Sequence, residues 1–294
     1  MKWMITDSGL GGLSICAGLE QAIKLNMPGT NIELLYVNAT PDDRIGYNAL
    51  KTQAERITLF NRFLYAAYDR YSPDEIAIAC NTLSVIYDET EFARESPVEV
   101  RGIVQAGVSL CDTNLSQYPE NDLIIFATET TTEAGTYPRL INTDAHQIIA
   151  QECPELAHSI SNDASGEACR ELLVGYVDEA LKGFNAVPKQ AFAFLGCTHY
   201  GYQADIFKDL LEARGVKTKI LNPNDLLVKQ LITDRRDEVV NNQGALNVRF
   251  ISRYEIPQAE IIAMEHYLKD SAPQTLQALS DQTVVPDLFD KPSA

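Results

Sequence analysis

The sequence predicts an α/β fold in which mainly parallel sheets are covered by helices on both faces. Short apolar runs alternate with longer amphipathic segments along the 294 residues, and this alternation is the mark of strand–helix–strand units. Each conspicuous polar cluster also follows directly on a strand-like run. In open parallel sheets that end of the strand builds the ligand crevice.

Taken in order, the strand-like runs are KWMIT, IELLYV, EIAIAC, DLIIFAT, AFAFLG, KTKIL and NVRFIS. Helix-like segments lie between them: GLSICAGLEQAIKL, ALKTQAERITLFNRFLYAAYDRY, SGEACRELLVGYVDEALKGF and QADIFKDLLEAR. Beyond residue 255 the acidic tail reads as one or two helices with a loose end, VVPDLFDKPSA. The length suits two domains. The first is expected to be discontinuous, from 1–98 and 208–294 with the helical tail, and the second to span 99–207.

Composition narrows the function. A net charge of −17 opposes nucleic acid, which needs clustered cations to neutralise phosphates, and opposes anionic membrane surfaces. No run of eighteen apolar residues is present, so no membrane span is expected. The opening MKWMITDSG has no signal-peptide core, which makes the cytoplasm the expected location. Six cysteines, at 16, 80, 111, 153, 169 and 197, form neither Cys-x-x-Cys nor zinc spacing, so no metal is expected. Cys16, Cys111, Cys153 and Cys169 read as small buried hydrophobes.

Three strand ends carry chemistry. ITDSGLGGLS (5–14) is a glycine-rich turn that fits neither the dinucleotide fingerprint nor Walker A, since Ser14 stands at the third glycine and no Gly-Lys pair follows. Its helix N-terminus can hold a carboxylate, and Asp7 beside it suits an ammonium or a proton transfer. ACNTLS places Cys80, Asn81 and Thr82 at a second strand end, where a following helix is expected to favour thiolate. GCTHY repeats the design with Cys197, Thr198 and His199, the histidine able to hold the thiol's proton. A hydroxyl-rich segment, FATETTTEAGTYPR, adds Thr128, Thr130, Thr131 and Thr132 as helix caps or as the lining of a polar-ligand site.

Together DSGLGGLS, ACNTLS and LGCTHY resemble the three signature motifs of the aspartate/glutamate racemase superfamily, glutamate racemase most of all. The resemblance spans roughly residues 3–255 and includes ATETTTEAGTY. It implies two pseudo-symmetric three-layer α/β domains with the active site in the interdomain cleft, no cofactor, and commonly a homodimer. It also implies Cys80 and Cys197 as two acid/base thiols on opposite faces of the substrate Cα, assisted by Asp7 and His199. Substrate contacts would come from Asp7, Ser8, Ile45, Gly46, Asn81, Thr82, Thr128, Thr131, Thr198 and His199. Elementary chemistry agrees, because inversion by proton exchange needs one acid/base group on each face.

Two positions depart from the family pattern. Arg44, Ile45 and Gly46 stand where relatives carry Pro-Tyr-Gly, although a shift of one residue would recruit Tyr47. Arg44 thereby becomes a candidate for gripping a distal carboxylate. Ser161 stands where relatives carry an acid supporting the histidine, with Asp163 or His158 as substitutes. The expected activity is interconversion of L- and D-glutamate for peptidoglycan. The alternatives are racemisation of aspartate or another amino acid, or a non-catalytic binding role on the same scaffold.

Overall fold

A computed structural model describes residues 1–42, 45–141, 146–163, 166–234 and 244–291. Among the described residues, ten strands form two sheets. The first sheet contains β1 (Lys2–Asp7), β2 (Ile32–Asn38), β3 (Glu75–Ile78), β4 (Glu99–Gly102), β9 (Leu246–Ser252) and β10 (Thr283–Val284), in the order β10-β9-β2-β1-β3-β4. The second contains β5 (Asp122–Ala127), β6 (Ile148–Glu152), β7 (Gln190–Gly196) and β8 (Lys217–Leu221), in the order β6-β5-β7-β8. Every pairing is parallel.

Both sheets are apolar on both faces. In the first, Trp3, Ile5, Leu34 and Tyr36 pack into one core while Met4, Leu35, Val37, Ile76 and Ile78 pack into another. In the second, Ile124, Phe126, Ala193 and Leu195 face one side, and Leu123, Ile125, Phe192 and Phe194 face the other. This period-two split between two cores is the three-layer arrangement expected of buried parallel strands.

Strand pairing cuts the chain differently from the expected boundaries at 98/99 and 207/208. β4 pairs with β3, because the strand completes the first sheet before the chain crosses over. β8 pairs with β7, so residues 217–221 belong to the second sheet. The short strands β4, β6 and β10 escape sequence reading because they are brief and lie at sheet edges: EVRG is only partly buried and β6 is nowhere fully buried. The tail is also better anchored than expected. It forms helices Gln258–Leu268 and Pro273–Ser280, adds β10 to β9, and buries Leu288 and Phe289.

Local signals explain the elements that frame the crevice. Thr52 and Glu55 form a reciprocal capping box at the start of helix Gln53–Tyr71. Asn222 caps helix Pro223–Thr233, with proline at its first turn. The chain goes from β1 to β2 on one side and later to β3 on the other, which makes a topological switch point between β1 and β3. The second sheet repeats this with β6 and β7 on either side of β5. Such switch points open ligand crevices at the carboxyl ends of the strands.

Candidate active site

Asp7 ends β1 and Cys80 follows β3, so they flank the first switch point. Thr128 follows β5 and Cys197 follows β7, so they flank the second. The fold thus brings Asp7, Ser8, Cys80, Asn81, Thr82, Thr128, Thr131, Cys197, Thr198 and His199 to neighbouring strand ends. All but Ser8 are buried.

The glycine turn is shaped by what it touches. A Cβ on Gly11 would lie 2.5 Å from His199 Nδ1, and one on Gly12 would lie 2.8 Å from Asp7 Oδ2. Glycine is required here because two strand ends and the turn approach too closely for a side chain. Tyr36 of β2 fixes the turn from below, its hydroxyl donating to Gly9 O at 2.5 Å while its ring stacks on Phe250.

Each thiol has its own partners. Cys80 Sγ and Ser8 Oγ are 3.0 Å apart, and Cys80 also hydrogen-bonds the Asp7 carboxylate. Cys197 Sγ lies 3.7 Å from His199 Nδ1. The two halves are joined directly, since Thr198 Oγ1 donates to Asp7 Oδ2 at 2.8 Å and Thr82 Oγ1 meets Thr128 Oγ1 at 3.0 Å. Thr128 donates onward to Thr131 at 3.1 Å. Its hydroxyl therefore links the halves instead of capping helix Glu129–Glu133.

Burial governs the charges. Asp7 is raised to about 6 by desolvation, opposed by its bonds to Thr198, Ser8 and Cys80. His199 is lowered to about 4, first by burial and then by the charge of His158. Cys80 is pushed up to about 12 by burial, with the Asp7 charge adding to it. Cys197 is raised further, again by burial first. The helix after Cys80 was expected to favour thiolate. It spans only Asn81–Tyr87, and desolvation outweighs it. At neutral pH the resting site therefore holds two protonated thiols, an ionised Asp7 and a neutral His199.

A cavity of about 510 Å³ opens onto these groups, reaching Ser8, Thr128 and His199 in its wall. The cysteines lie behind that wall, each one hydrogen bond from it. Ile45 and Gly46 line the cavity as expected. Arg44 falls outside the described residues. Tyr47 was reached in the sequence only through a shifted alignment; it is 1% exposed, lines the cavity, and its hydroxyl has no hydrogen-bond partner among the described residues. Asn81 presents a second such group: Tyr137 donates to its Oδ1 at 2.5 Å while Nδ2 is buried and has no partner among the described residues. Buried donors left unpaired cost about 1–3 kcal/mol each, which a ligand can recover.

The second departure also resolves in part. Ser161 is buried on the cavity wall with His199. Asp163 accepts from Ala168 N at 3.0 Å and so caps the following helix. His158 does line the cavity. Sequence reading placed Cys153 among the structural thiols, yet it too lies on the cavity wall. Glu260, from the tail helix, was not anticipated there at all.

Fold and site define an α/β protein whose two parallel sheets converge on a crevice backed by two thiols. No protein-family profile matches the chain. Glutamate racemase 3 of Caldanaerobacter subterraneus subsp. tengcongensis is 28% identical over 252 residues, covering 84% of this chain and 83% of that one. Glutamate racemase of Aquifex aeolicus is 24% identical over 255 residues, covering 86% and 89%. Among solved structures, glutamate racemase of Francisella tularensis in complex with D-glutamate superposes with a TM-score of 0.69 at 24% identity, covering 91% and 93%. A glutamate racemase isoform from Bacillus anthracis gives a TM-score of 0.70 at 18% identity over the same shares. In sequence and in fold the chain is similar to the glutamate racemases of the aspartate/glutamate racemase superfamily.

Proposed function

We propose that the protein is an amino-acid racemase that interconverts L- and D-glutamate without a cofactor. One observation carries this reading: two buried thiols follow equivalent strands of the two sheets, each with its own hydrogen-bonded partners. Asp7 serves Cys80 and His199 serves Cys197. The relatives named above support glutamate as the substrate. The same reading includes a cytoplasmic homodimer that supplies D-glutamate to peptidoglycan. Among the described residues no helix is long and apolar enough to cross a membrane.

In one direction the Cys197 S–H proton passes to His199 Nδ1, leaving a thiolate and an imidazolium. The thiolate takes the proton from substrate Cα. Cys80 then gives its S–H proton to the opposite face, and the thiolate left behind accepts from the Ser8 hydroxyl. In the other direction Asp7 accepts from Cys80 and the roles reverse. Charge developing on the substrate α-carboxylate is met by donors such as Ser8 and Asn81 Nδ2, the latter without a partner among the described residues.

Racemisation in deuterated water tests the proposal. Each glutamate enantiomer should yield product deuterated at Cα, with little early deuterium in the recovered substrate. Cys80→Ser and Cys197→Ser should each abolish racemisation, because a hydroxyl is a far weaker base than a thiolate. Each single variant should keep exchange of one enantiomer only, D for surviving Cys80 and L for surviving Cys197. Aspartate turning over in preference to glutamate would move the substrate assignment. Absence of α-proton exchange from either acid would leave a binding role.

A further inference from the structure

One amide joins three segments where the chain crosses from the second sheet back to the first. β8 runs into helix Pro223–Thr233, and that helix packs on helix Leu13–Asn26, which starts at the glycine turn. Asn224, buried in the first turn of Pro223–Thr233, donates from Nδ2 to Ser14 Oγ at 2.9 Å and to Thr198 O at 3.1 Å. Both hydrogens of that nitrogen are thereby used. Each acceptor leads on into the site. Ser14 Oγ donates to Gly11 O at 2.8 Å, inside the glycine turn, and Thr198 Oγ1 donates to Asp7 Oδ2 at 2.8 Å. The orientation of the amide follows from its partners, because Thr198 O can only accept and Ser14 Oγ already donates its proton to Gly11. Asn224 Oδ1 is buried with no hydrogen-bond partner among the described residues. An apolar side chain of the same size would avoid that cost, so what asparagine supplies here is its pair of N–H groups.

Resting on the racemase reading above, we infer that Asn224 is a positioning residue for the reaction: its amide fixes Thr198 against the glycine turn and so holds the hydroxyl that bonds the Asp7 carboxylate. Through Asp7 the pin reaches Cys80, which hydrogen-bonds the same carboxylate. The effect is readable in the titration of Asp7. Burial holds Asp7 at about 6, and the Thr198 bond opposes burial by favouring the ionised form. Loss of that bond therefore moves the midpoint up. Tyr36 on β2, Cys80 after β3, and Cys197 and Tyr202 after β7 all feel the Asp7 charge, and burial raises all four, so each is protonated near pH 6. His199, which borders the same glycine turn, is lowered to about 4 and is neutral there. Asp7 is thus the group that titrates near 6 in this part of the site.

The test uses the full-length protein with Asn224→Leu, which keeps the bulk without the donors, and with Asn224→Ala, which decides the matter if leucine is not accommodated. The control is Asn114→Ala, a buried amide whose side chain bonds Leu110 O and Lys219 outside the site. The Asp7 carboxyl is titrated by carbon NMR, and kcat and kcat/KM for glutamate are measured against pH. Both Asn224 variants should move the Asp7 midpoint, and with it the acid limb of kcat/KM, up by about half a pH unit or more. At pH 7.5 kcat should fall about tenfold as the site loses its alignment. Asn114→Ala should leave midpoint and limb where they are. In a Thr198→Val background Asn224→Leu should move the Asp7 midpoint no further, because the hydroxyl through which Asn224 acts is gone. An Asp7 midpoint unchanged in the folded Asn224 variants overturns the inference. So does an equal shift in Asn114→Ala, or a further shift without the Thr198 hydroxyl. A wild-type protein that exchanges no α-proton fails the racemase reading instead, and the Asp7 titration then still decides whether Asn224 holds Thr198 on Asp7.

Discussion

Thr198 Oγ1 donates to Asp7 Oδ2 at 2.8 Å, so the residue after the second thiol is bonded to the acid beside the first. This bond, which joins the first sheet to the second, is made in a fully buried setting that holds Asp7 near 6. The native protein binds the Asp7 proton more tightly than the unfolded chain does, so this group costs stability as pH rises from about 4 through 6. The full cost, present above that range, is on the order of 2–3 kcal/mol. Asp7→Asn removes it while keeping a partner for Thr198. The expected outcome is a variant more stable than wild type at pH 7.5, an advantage that vanishes near pH 4, and no racemisation from the Cys80 face. Thermal unfolding at the two pH values checks the sign, and equal stability at both would show that Asp7 is not carrying a buried charge.

Gly11 is where the glycine turn meets the second thiol's histidine. A methyl group there would press on Thr198 Oγ1, on His199 Nδ1 at 2.5 Å and on the His199 backbone nitrogen at 2.7 Å. The backbone contact cannot be relieved by a rotamer change. Gly11→Ala is expected to cost about 1–3 kcal/mol through overpacking. By displacing the imidazole from Cys197 it should also lower kcat by about a hundredfold. Gly175, on helix Glu167–Lys182 with nothing near its added Cβ, is the control: Gly175→Ala should be stabilising by about 0.5–1 kcal/mol with kcat unchanged.

The remaining cysteines divide by position. Cys16, Cys111 and Cys169 are fully buried among apolar side chains, so alanine at each should cost a few kcal/mol at most and leave kcat alone. Cys153 shares that burial but borders the cavity, and Cys153→Ala should alter KM as well as stability. Denaturant titration paired with steady-state kinetics separates the two groups. A thousandfold kcat loss in any of the first three would mean the wrong thiols have been assigned to catalysis.

The strand-end clusters were legible because their signals are local. An apolar run followed at once by Cys80-Asn81-Thr82 or Cys197-Thr198-His199 states both an element and its end. Glu260 is different: nothing in QAEIIAMEHYL distinguishes a cavity glutamate from a solvated one, and only the packing of that helix on Leu156–Asn162 decides it. The ionisation of Cys80 was misjudged for a related reason. A helix start is visible in sequence, whereas the desolvation that outweighs it depends on side chains remote in the chain. β10 and β4 were missed because very short edge strands borrow their definition from β9 and β3.

Tyr47 offers the sharpest separation of binding from folding. Its hydroxyl is buried on the cavity wall with no partner among the described residues, and its ring packs edge-on against Phe60. Burial keeps the phenol protonated, so it is able to donate to a ligand acceptor. Removing an unpaired buried hydroxyl leaves the ring contact in place, and Tyr47→Phe should therefore be neutral or stabilising by up to about 1 kcal/mol in the free protein. A hydrogen bond to a charged acceptor is worth about 1.5–3 kcal/mol, so if the hydroxyl meets a substrate carboxylate the same change raises KM by about tenfold or more. A variant at least as stable as wild type with a raised KM for glutamate and a nearly unchanged kcat is the expected result. Unchanged KM would place the carboxylate elsewhere in the cavity, and a clear loss of stability would mean that the hydroxyl has a partner in the folded protein.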